Sequence, residues 1–279
     1  MGILNFFKKK PKESEFAKER EELVALGLTT LEDLENLVKP LLKEATRIVA
    51  KKAKLPTERS NLKSHFGGDP YFEKGEKWPQ TKEGIDLQFI FQIFNDDKIV
   101  LPPNIKLIQF FYAIDGEYMA FETEDSGWHV KIYEKLDKAN VIVVDRPKGE
   151  HFKEWDNVEY CEIAFEKIKS LPDWEGLERY NLNAQKLSCV LNEKEPWDSY
   201  DQINIKLTGR KQETDEDIYI SQLGGYPTWM QGDDTPDSND FLLQIYSEDN
   251  ANLMWGDAGL VYLFYNKKTK KVNFILQCG

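Results

Sequence analysis

The short motif Trp255–Gly259 places a single acid, Asp257, between two small residues and directly before a strongly apolar segment. A carboxylate in such a position commonly accepts hydrogen bonds from the backbone N–H groups of a turn. The same setting can instead bury an acid and raise its pKa, as acid–base chemistry requires. Both interpretations stay open, and Trp255 and Asp257 are therefore candidate binding residues.

Three aspartates a little earlier in the chain are the candidates for a metal site. They are Asp233, Asp234 and Asp237. Carboxylate oxygens in a short loop suit Ca²⁺, but the loop departs from the EF-hand pattern, because Ser238 stands where that pattern needs glycine. The alternative is a solvated loop without a metal. Trp229 and Gln231 precede the loop and are further candidate binding residues.

Familiar signatures of catalysis are absent from the sequence. It has no Gly-x-Ser-x-Gly motif, no Walker loop, no Gly-x-Gly-x-x-Gly and no His-Glu-x-x-His. Its three histidines, His65, His129 and His151, are few for zinc chemistry or for Ser-His and Cys-His catalysis. No cofactor is indicated, and the sequence favours a non-enzymatic protein over an enzyme.

Charge is distributed unevenly along the chain. The 37 Lys and Arg against 49 Asp and Glu give a net charge of −12. Residues 212–266 hold eleven acids and no Lys or Arg. This balance argues against a nucleic-acid partner and against an anionic membrane surface. The acidic stretch is either a solubilising surface or a face that binds a basic protein or a metal ion.

Length and composition indicate a soluble globular protein. The 279 residues, 41% of them hydrophobic, are enough for one large domain or two moderate ones. The three cysteines are an odd number without a Cys-x-x-Cys motif, which favours a reducing cytoplasm over a disulfide framework. No apolar run reaches the roughly 18 residues of a membrane-spanning helix, so no integral membrane segment is expected.

An N-terminal helical segment is expected over residues 1–54. Gly27 is the expected end of its first helix, and Thr29 begins a capping box and is the preferred N-cap of the second. Apolar positions keep a helical period from Leu31 to Val49, with a break or kink at Pro40.

Beyond this segment the sequence is rich in short runs of Phe, Ile, Tyr and Val. The runs predict strands at 87–94, 106–114, 118–121, 129–133, 141–144, 241–246, 259–265 and 271–276. Asp115-Gly116 is a hairpin signal, and the best helical pattern lies around Pro172–Lys186. Because strands come in groups apart from helices, we expect an α+β fold with a mainly antiparallel sheet.

Three blocks of sequence recur in the same order along the chain. The pairs are 65–71 with 222–228, 89–94 with 241–246, and 108–113 with 260–265. The blocks predict an internal duplication, with halves at 55–160 and 161–279 related by a pseudo-two-fold axis.

Each half also carries a glutamine, Gln92 or Gln244, inside an otherwise apolar strand. A buried amide needs hydrogen-bond partners. These glutamines either bond neighbouring backbone or form a pair that lines a cleft between the halves.

Several of these motifs, taken in order, resemble the YwqG-like family of uncharacterised bacterial proteins. They are Phe66–Pro70, Trp78-Pro79, Leu223–Pro227, Phe241–Ile245 and Trp255–Gly259. The resemblance implies an α+β fold of duplicated halves and a cytoplasmic bacterial protein, but no activity. Comparable proteins are found near toxin genes, which suggests an immunity or interaction role.

Two functions follow as expectations. The first is a non-enzymatic binding protein, immunity-like, whose acidic face binds a basic protein. The alternative is a small-molecule or metal-dependent enzyme with its site in the cleft between the halves. There Asp257 would act as acid or base, and Gln92 and Gln244 would orient the ligand.

Overall fold

The computed structural model describes residues 16–96, 98–113, 127–147, 158–211 and 214–279. The strand expected at 118–121, the Asp115-Gly116 hairpin and His151 lie outside these ranges. The described residues form helices, a ten-stranded sheet and a separate two-stranded sheet. The protein therefore has the α+β fold expected from the sequence.

The helices gather near the N-terminus and in the middle of the chain. They are α1 (Ala17–Ala25), α2 (Leu31–Val38), α3 (Trp174–Tyr180), α4 (Leu182–Leu191), α5 (Asp198–Thr208) and α6 (Asp215–Ile218). The expected stop at Gly27 is confirmed, since α1 ends at Ala25 and Gly27 shortly after it has a left-handed backbone conformation. The N-cap expected at Thr29 is wrong: Thr30 caps α2, because its hydroxyl accepts the N–H of Asp33 at 3.1 Å.

The strands agree with most of the sequence expectations to within two residues. They are β1 (Lys43–Lys52), β2 (His65–Phe66), β3 (Phe72–Glu73), β4 (Gln88–Phe94), β5 (Leu107–Tyr112), β6 (Trp128–Tyr133), β7 (Val141–Ile142), β8 (Cys161–Ser170), β9 (Gln222–Gly224), β10 (Asp240–Tyr246), β11 (Leu260–Tyr265) and β12 (Val272–Gln277). The large sheet has the order β12-β11-β10-β9-β1-β8-β2-β4-β5-β6. Each of these neighbouring pairs is antiparallel.

β1 corrects the helix expected to continue to Val49. After a short 3₁₀ turn at Lys39–Leu41, the chain enters the middle of the sheet and pairs with β8 along ten residues. Thr46 and its neighbour Ala45 point to opposite faces of β1, yet both are buried. Further along the strand Ile48 and Ala50 are buried, whereas Arg47 is exposed and Val49 half-buried. Because apolar residues stand on both faces of β1, they do not alternate strictly with polar ones, and their spacing imitates a helix.

The sheet continues in the same way on both sides of the β1–β8 pair. A first four-strand set, β2-β4-β5-β6, follows β8, and a second four-strand set, β9-β10-β11-β12, follows β1. β4 and β10 each carry a bulge, at Phe89/Phe91 and Phe241/Leu243. This order is the one that a duplication would produce, and the duplication itself stays a prediction.

The two four-strand sets face each other across the largest hydrophobic cluster. Phe110 of the first set stacks on Phe274 of the second, with ring centroids 5.7 Å apart. Trp255 meets the Tyr112 ring edge-on at 5.3 Å. Where the sequence led us to expect a cleft between the halves, the described residues therefore form a packed core.

Candidate functional site

Gln92 is fully buried, and both ends of its amide bind backbone. Its Oε1 accepts the N–H of Tyr71 at 2.9 Å, and its Nε2 donates to the carbonyls of Asn61 and Lys63, each at 2.8 Å. Its neighbours Phe91 and Ile93 face the shared core, so Gln92 lies on the opposite face of the sheet. The side chain holds loops in place and contacts no cleft.

Gln244 makes the matching bonds in the second four-strand set. Its Oε1 accepts the N–H of Thr228 at 2.9 Å, and its Nε2 donates to the Ile220 carbonyl at 2.8 Å. His65 and Gln222 also occupy equivalent positions in the two sets. The side chain of His65 contacts the Gly67 carbonyl, and the side chain of Gln222 contacts the Gly224 carbonyl. Burial lowers the pKa of His65 to about 4, so this histidine is neutral and structural.

The two candidate tryptophans are both buried. Trp229 stacks on Phe264 and packs against Tyr262, and its backbone N–H donates to the buried carboxyl group of Asp173, which also caps α3. Trp255 belongs to the core between the four-strand sets. Neither indole ring is exposed enough to form a binding surface.

Gln231 and Asp257 lie at the surface near the C-terminus. Gln231 Nε2 donates to the Cys278 carbonyl at 2.5 Å. Asp257 sits in an exposed turn between Gly256 and Ala258, both with positive φ, and its carbonyl accepts the N–H of Gly279 at 3.1 Å. Gln92 and Gln244 bind backbone elsewhere, and within the described ranges Asp257 forms no hydrogen bond with either of them.

The aspartates proposed as metal ligands have other partners. Asp233 accepts the Arg179 guanidinium at 2.6 Å, and Asp234 accepts Gln277 Nε2 at 2.9 Å. Asp237 is exposed. Within the described ranges, no three His, Cys, Asp or Glu side chains form a cluster that could hold a metal ion.

The wider acidic stretch does not form one free surface. Asp240 pairs with Lys267 at 2.8 Å. Glu248 is largely buried, and the Ser221 hydroxyl donates to its carboxylate. Burial raises the pKa of Glu248 to about 7, against the opposing effects of Ser221 and of Arg47.

Glu248 gives a testable dependence of stability on pH. In the unfolded chain this acid ionises near its ordinary pKa of 4.5. The folded protein therefore keeps the proton over a range in which the unfolded chain has lost it. We expect this group to lower the free energy of unfolding as the pH rises from about 4.5 to about 7, by up to about 3 kcal/mol.

The Glu248→Gln variant stays neutral and can still accept the Ser221 hydroxyl, so its loss of stability over the same pH range should be smaller. Urea unfolding at pH 4.5, 5.5 and 7.5 measures this difference. The control is Glu58→Gln at an exposed position, which should follow the parent protein. Parallel pH profiles for the parent and Glu248→Gln would contradict the prediction.

A feature that the sequence did not reveal is a groove of about 930 Å³ beside the central strand pair. It is lined by the start of β1, the end of β8, the segment 98–100 and residues 206–211 at the end of α5. Its basic side chains are Arg47, Lys98, Lys167, Lys169, Lys206, Arg210 and Lys211. Among the side chains that the structure describes, two acids, Glu44 and Asp217, line it as well. We call this feature the basic groove.

Most cations of the basic groove lack a counter-ion. Lys206 pairs with Glu35 at 2.5 Å, and Lys98 lies 3.9 Å from Asp96. The remaining lysines and Arg47 form no ion pair within the part of the chain that the structure describes.

Arg210 occupies the inner wall of the basic groove. Its guanidinium donates to the carbonyls of Asp217 and Ile218, at 3.2 and 2.8 Å, and it forms no ion pair with any carboxylate that the structure describes. Burial and the nearby charge of Arg47 lower the pKa of Arg210. A bound anion would relieve this repulsion between like charges.

A model of one protein family matches residues 64–276, under the description domain of unknown function, DUF1963. The chain belongs to this family. The DUF1963 match begins at β2, so β1 and Arg47 precede it, whereas the other six basic residues of the groove lie within it. The narrower resemblance to YwqG-like proteins stays a prediction. No curated protein matches the chain.

Among the described residues, no helix of this DUF1963 protein is both long and apolar enough to cross a bilayer.

Proposed function

We propose that this protein is a binding protein whose basic groove takes a ligand with several negative charges. The observation that carries the proposal is the charge of the described lining residues, seven of them basic against two acids, on a protein of net charge −12. Such a local excess cannot follow from overall composition. A concave surface lined with charges of one sign concentrates ligands of the opposite sign.

The size of the groove supports a ligand larger than a single phosphate or carboxylate. A volume of about 930 Å³ is near the upper end for small-molecule sites, and the cations lie on four separate segments of the chain. The lining supplies lysine ammonium groups and arginine guanidinium groups, which bind phosphate and carboxylate oxygens. This chemistry suits binding, which is why we favour a non-enzymatic role.

Isothermal titration calorimetry with tripolyphosphate and with an acidic decapeptide tests the proposal. We expect binding of at least one probe, weakening steeply with salt. The double reversal Lys167→Glu/Lys169→Glu should weaken binding at least tenfold. The matched control Lys138→Glu/Lys268→Glu changes the same number of exposed charges elsewhere and should leave it within about twofold. Failure of both probes to bind, or equal losses in both variants, would contradict the proposal.

Binding of a basic protein by the acidic stretch is a second candidate function, and it would suit an immunity-like role. It is supported by the exposed side chains of Asp234, Asp237, Asp249 and Asp257 in a stretch without lysine or arginine. The test is charge reversal at Asp234 and Asp237, followed by titration of the variant with a small basic protein and with polylysine. Unchanged affinity for these basic probes would remove this candidate. Asp233 is left intact, because it holds Arg179.

A further inference from the structure

The outer edge of β8 is only partly paired. β2 pairs with β8 only at Cys161 and Glu162, and one further bond runs from the Ile163 N–H to the Ser64 carbonyl at 3.2 Å. β8 itself continues to Ser170. Its last seven residues therefore extend past β2 while they remain paired with β1 on the other side.

The direction of the unpaired groups follows from the alternation of an antiparallel ladder. The Ile163 N–H points toward the β2 side of β8. The N–H and C=O groups of every second residue after Ile163 therefore point to that side as well. These residues are Phe165, Lys167 and Lys169. The intervening residues direct their backbone groups to β1. Within the described ranges, Phe165, Lys167 and Lys169 have no backbone partner on the outer side.

The corresponding edge of β1 is covered. β9 pairs with Ala45–Arg47, the Ile48 N–H donates to the Ser221 carbonyl at 2.8 Å, and the Asn250 side chain donates to the Ala50 carbonyl at 3.1 Å. Of the two strands in the central pair, β8 is thus the one whose edge is left open. An open strand edge is a template for pairing with another chain.

The open edge is also a wall of the basic groove. Lys167, Ile168 and Lys169 line the groove, and its other basic residues come from β1, from the segment 98–100 and from residues 206–211. A peptide that lies along this edge would place its side chains among these cations. Charge complementarity therefore favours a peptide that carries carboxylates.

We propose that the basic groove binds an extended acidic peptide segment of a partner protein, which pairs as an additional strand with β8 from Phe165 to Lys169. The proposal rests on the proposed function of the groove and specifies its ligand. From Phe165 to Lys169 the strand rises about 13 Å, so a segment of about five residues makes the backbone contacts. Backbone pairing supplies affinity, and the flanking lysines select acidic side chains.

The first experiment compares two peptides that differ only at their backbone. The probe is a fluorescein-labelled decapeptide of alternating Glu and Val, and its counterpart carries N-methyl groups on every residue. Charge and side chains are the same, but the methylated peptide cannot donate to a strand edge. In fluorescence anisotropy we expect at least tenfold weaker binding of the methylated peptide. Equal affinities for the two peptides would overturn the proposal.

The second experiment changes the protein. Lys167→Ala removes a charge, whereas Lys167→Pro removes the same charge and also the outward N–H. Because this N–H points away from β1, the proline leaves the β1–β8 pairing without a lost bond. We expect the alanine variant to bind the peptide two- to fivefold more weakly than the parent, and the proline variant at least tenfold more weakly than the alanine variant. Equal affinities of the two variants would overturn strand pairing.

The controls separate this proposal from the one on which it rests. Circular dichroism checks that Lys167→Pro is folded, and if it is not, the methylated peptide decides. Tripolyphosphate binding that is sensitive to Lys167→Glu/Lys169→Glu, together with equal binding of the two peptides, would refute strand pairing and leave the anion-binding groove intact. Absence of binding by tripolyphosphate and by both peptides would refute both proposals.

Discussion

Replacement of Trp255 by alanine is expected to lower the free energy of unfolding by about 3–5 kcal/mol. The indole is 2% exposed and lies where the two four-strand sets meet. It contacts Phe110 and Tyr112 of the first set, with ring centroids 6.1 and 5.3 Å apart. Its removal leaves a cavity between strands that are paired on their edges and cannot move together freely.

Urea unfolding followed by circular dichroism measures this loss, because the intrinsic fluorescence changes with the substitution. The matched control is Met254→Ala, one residue earlier, whose side chain is 60% exposed. Its expected loss is within about 0.5 kcal/mol. A loss for Trp255→Ala that is as small as the control's would mean that the two four-strand sets are separated by the cleft that the sequence led us to expect.

Replacement of Gly67 by alanine is expected to cost about 2–5 kcal/mol, since two unfavourable effects add. The residue has a φ of +55°, which disfavours any side chain, and a Cβ there would lie 2.4 Å from the Val158 carbonyl oxygen. The neighbouring atoms are backbone of Val158 and Glu159, just before β8, and cannot rotate away as a side chain can.

Gly84→Ala is the matched control for Gly67→Ala. Gly84 also has a positive φ, +85°, but nothing lies within 4 Å of the added methyl group. We expect a cost of about 1 kcal/mol there, from the backbone conformation alone. Comparison of the two urea midpoints isolates the close approach at Gly67. Equal midpoints would show that the chain before β8 shifts to accommodate the methyl group.

The longer strands of both four-strand sets were the most predictable elements, whereas the short strands β2 and β9 were not predicted. β4, β5, β10 and β11 are buried runs of Phe, Ile, Leu and Tyr bounded by turn residues, and such runs predict strands from local sequence alone.

The central strand pair was less predictable, for opposite reasons in its two members. β1 was taken for a helix, since apolar residues stand on both of its faces and do not alternate strictly with polar ones. β8 produced no strand signal, because charged residues such as Glu166 and Lys167 stand on both of its faces and are exposed. Neither pattern shows that the two strands pair with each other.

The basic groove could not be predicted because its charges are distant in sequence. Arg47, Lys98, Lys167 and Lys206 come from four segments that meet only in the folded sheet. By contrast, the acidic residues are close together in sequence and predicted a single acidic face. In the structure Asp233 pairs with Arg179, and Glu248 is largely buried. Proximity along the chain was a poor guide to the electrostatics of the surface.

The pairing of β1 with β8 has a consequence for how the chain folds during synthesis. Paired residues are separated by 109 positions, between Lys52 and Cys161, up to 127, between Lys43 and Ser170. Contacts between residues that are so far apart in sequence form slowly. At bacterial or eukaryotic elongation rates, β1 waits roughly 6–24 s for its partner to be translated. During that interval the apolar side chains of β1, such as Ile48 and Val49, lack their partners in the nascent chain, where a chaperone could shield them.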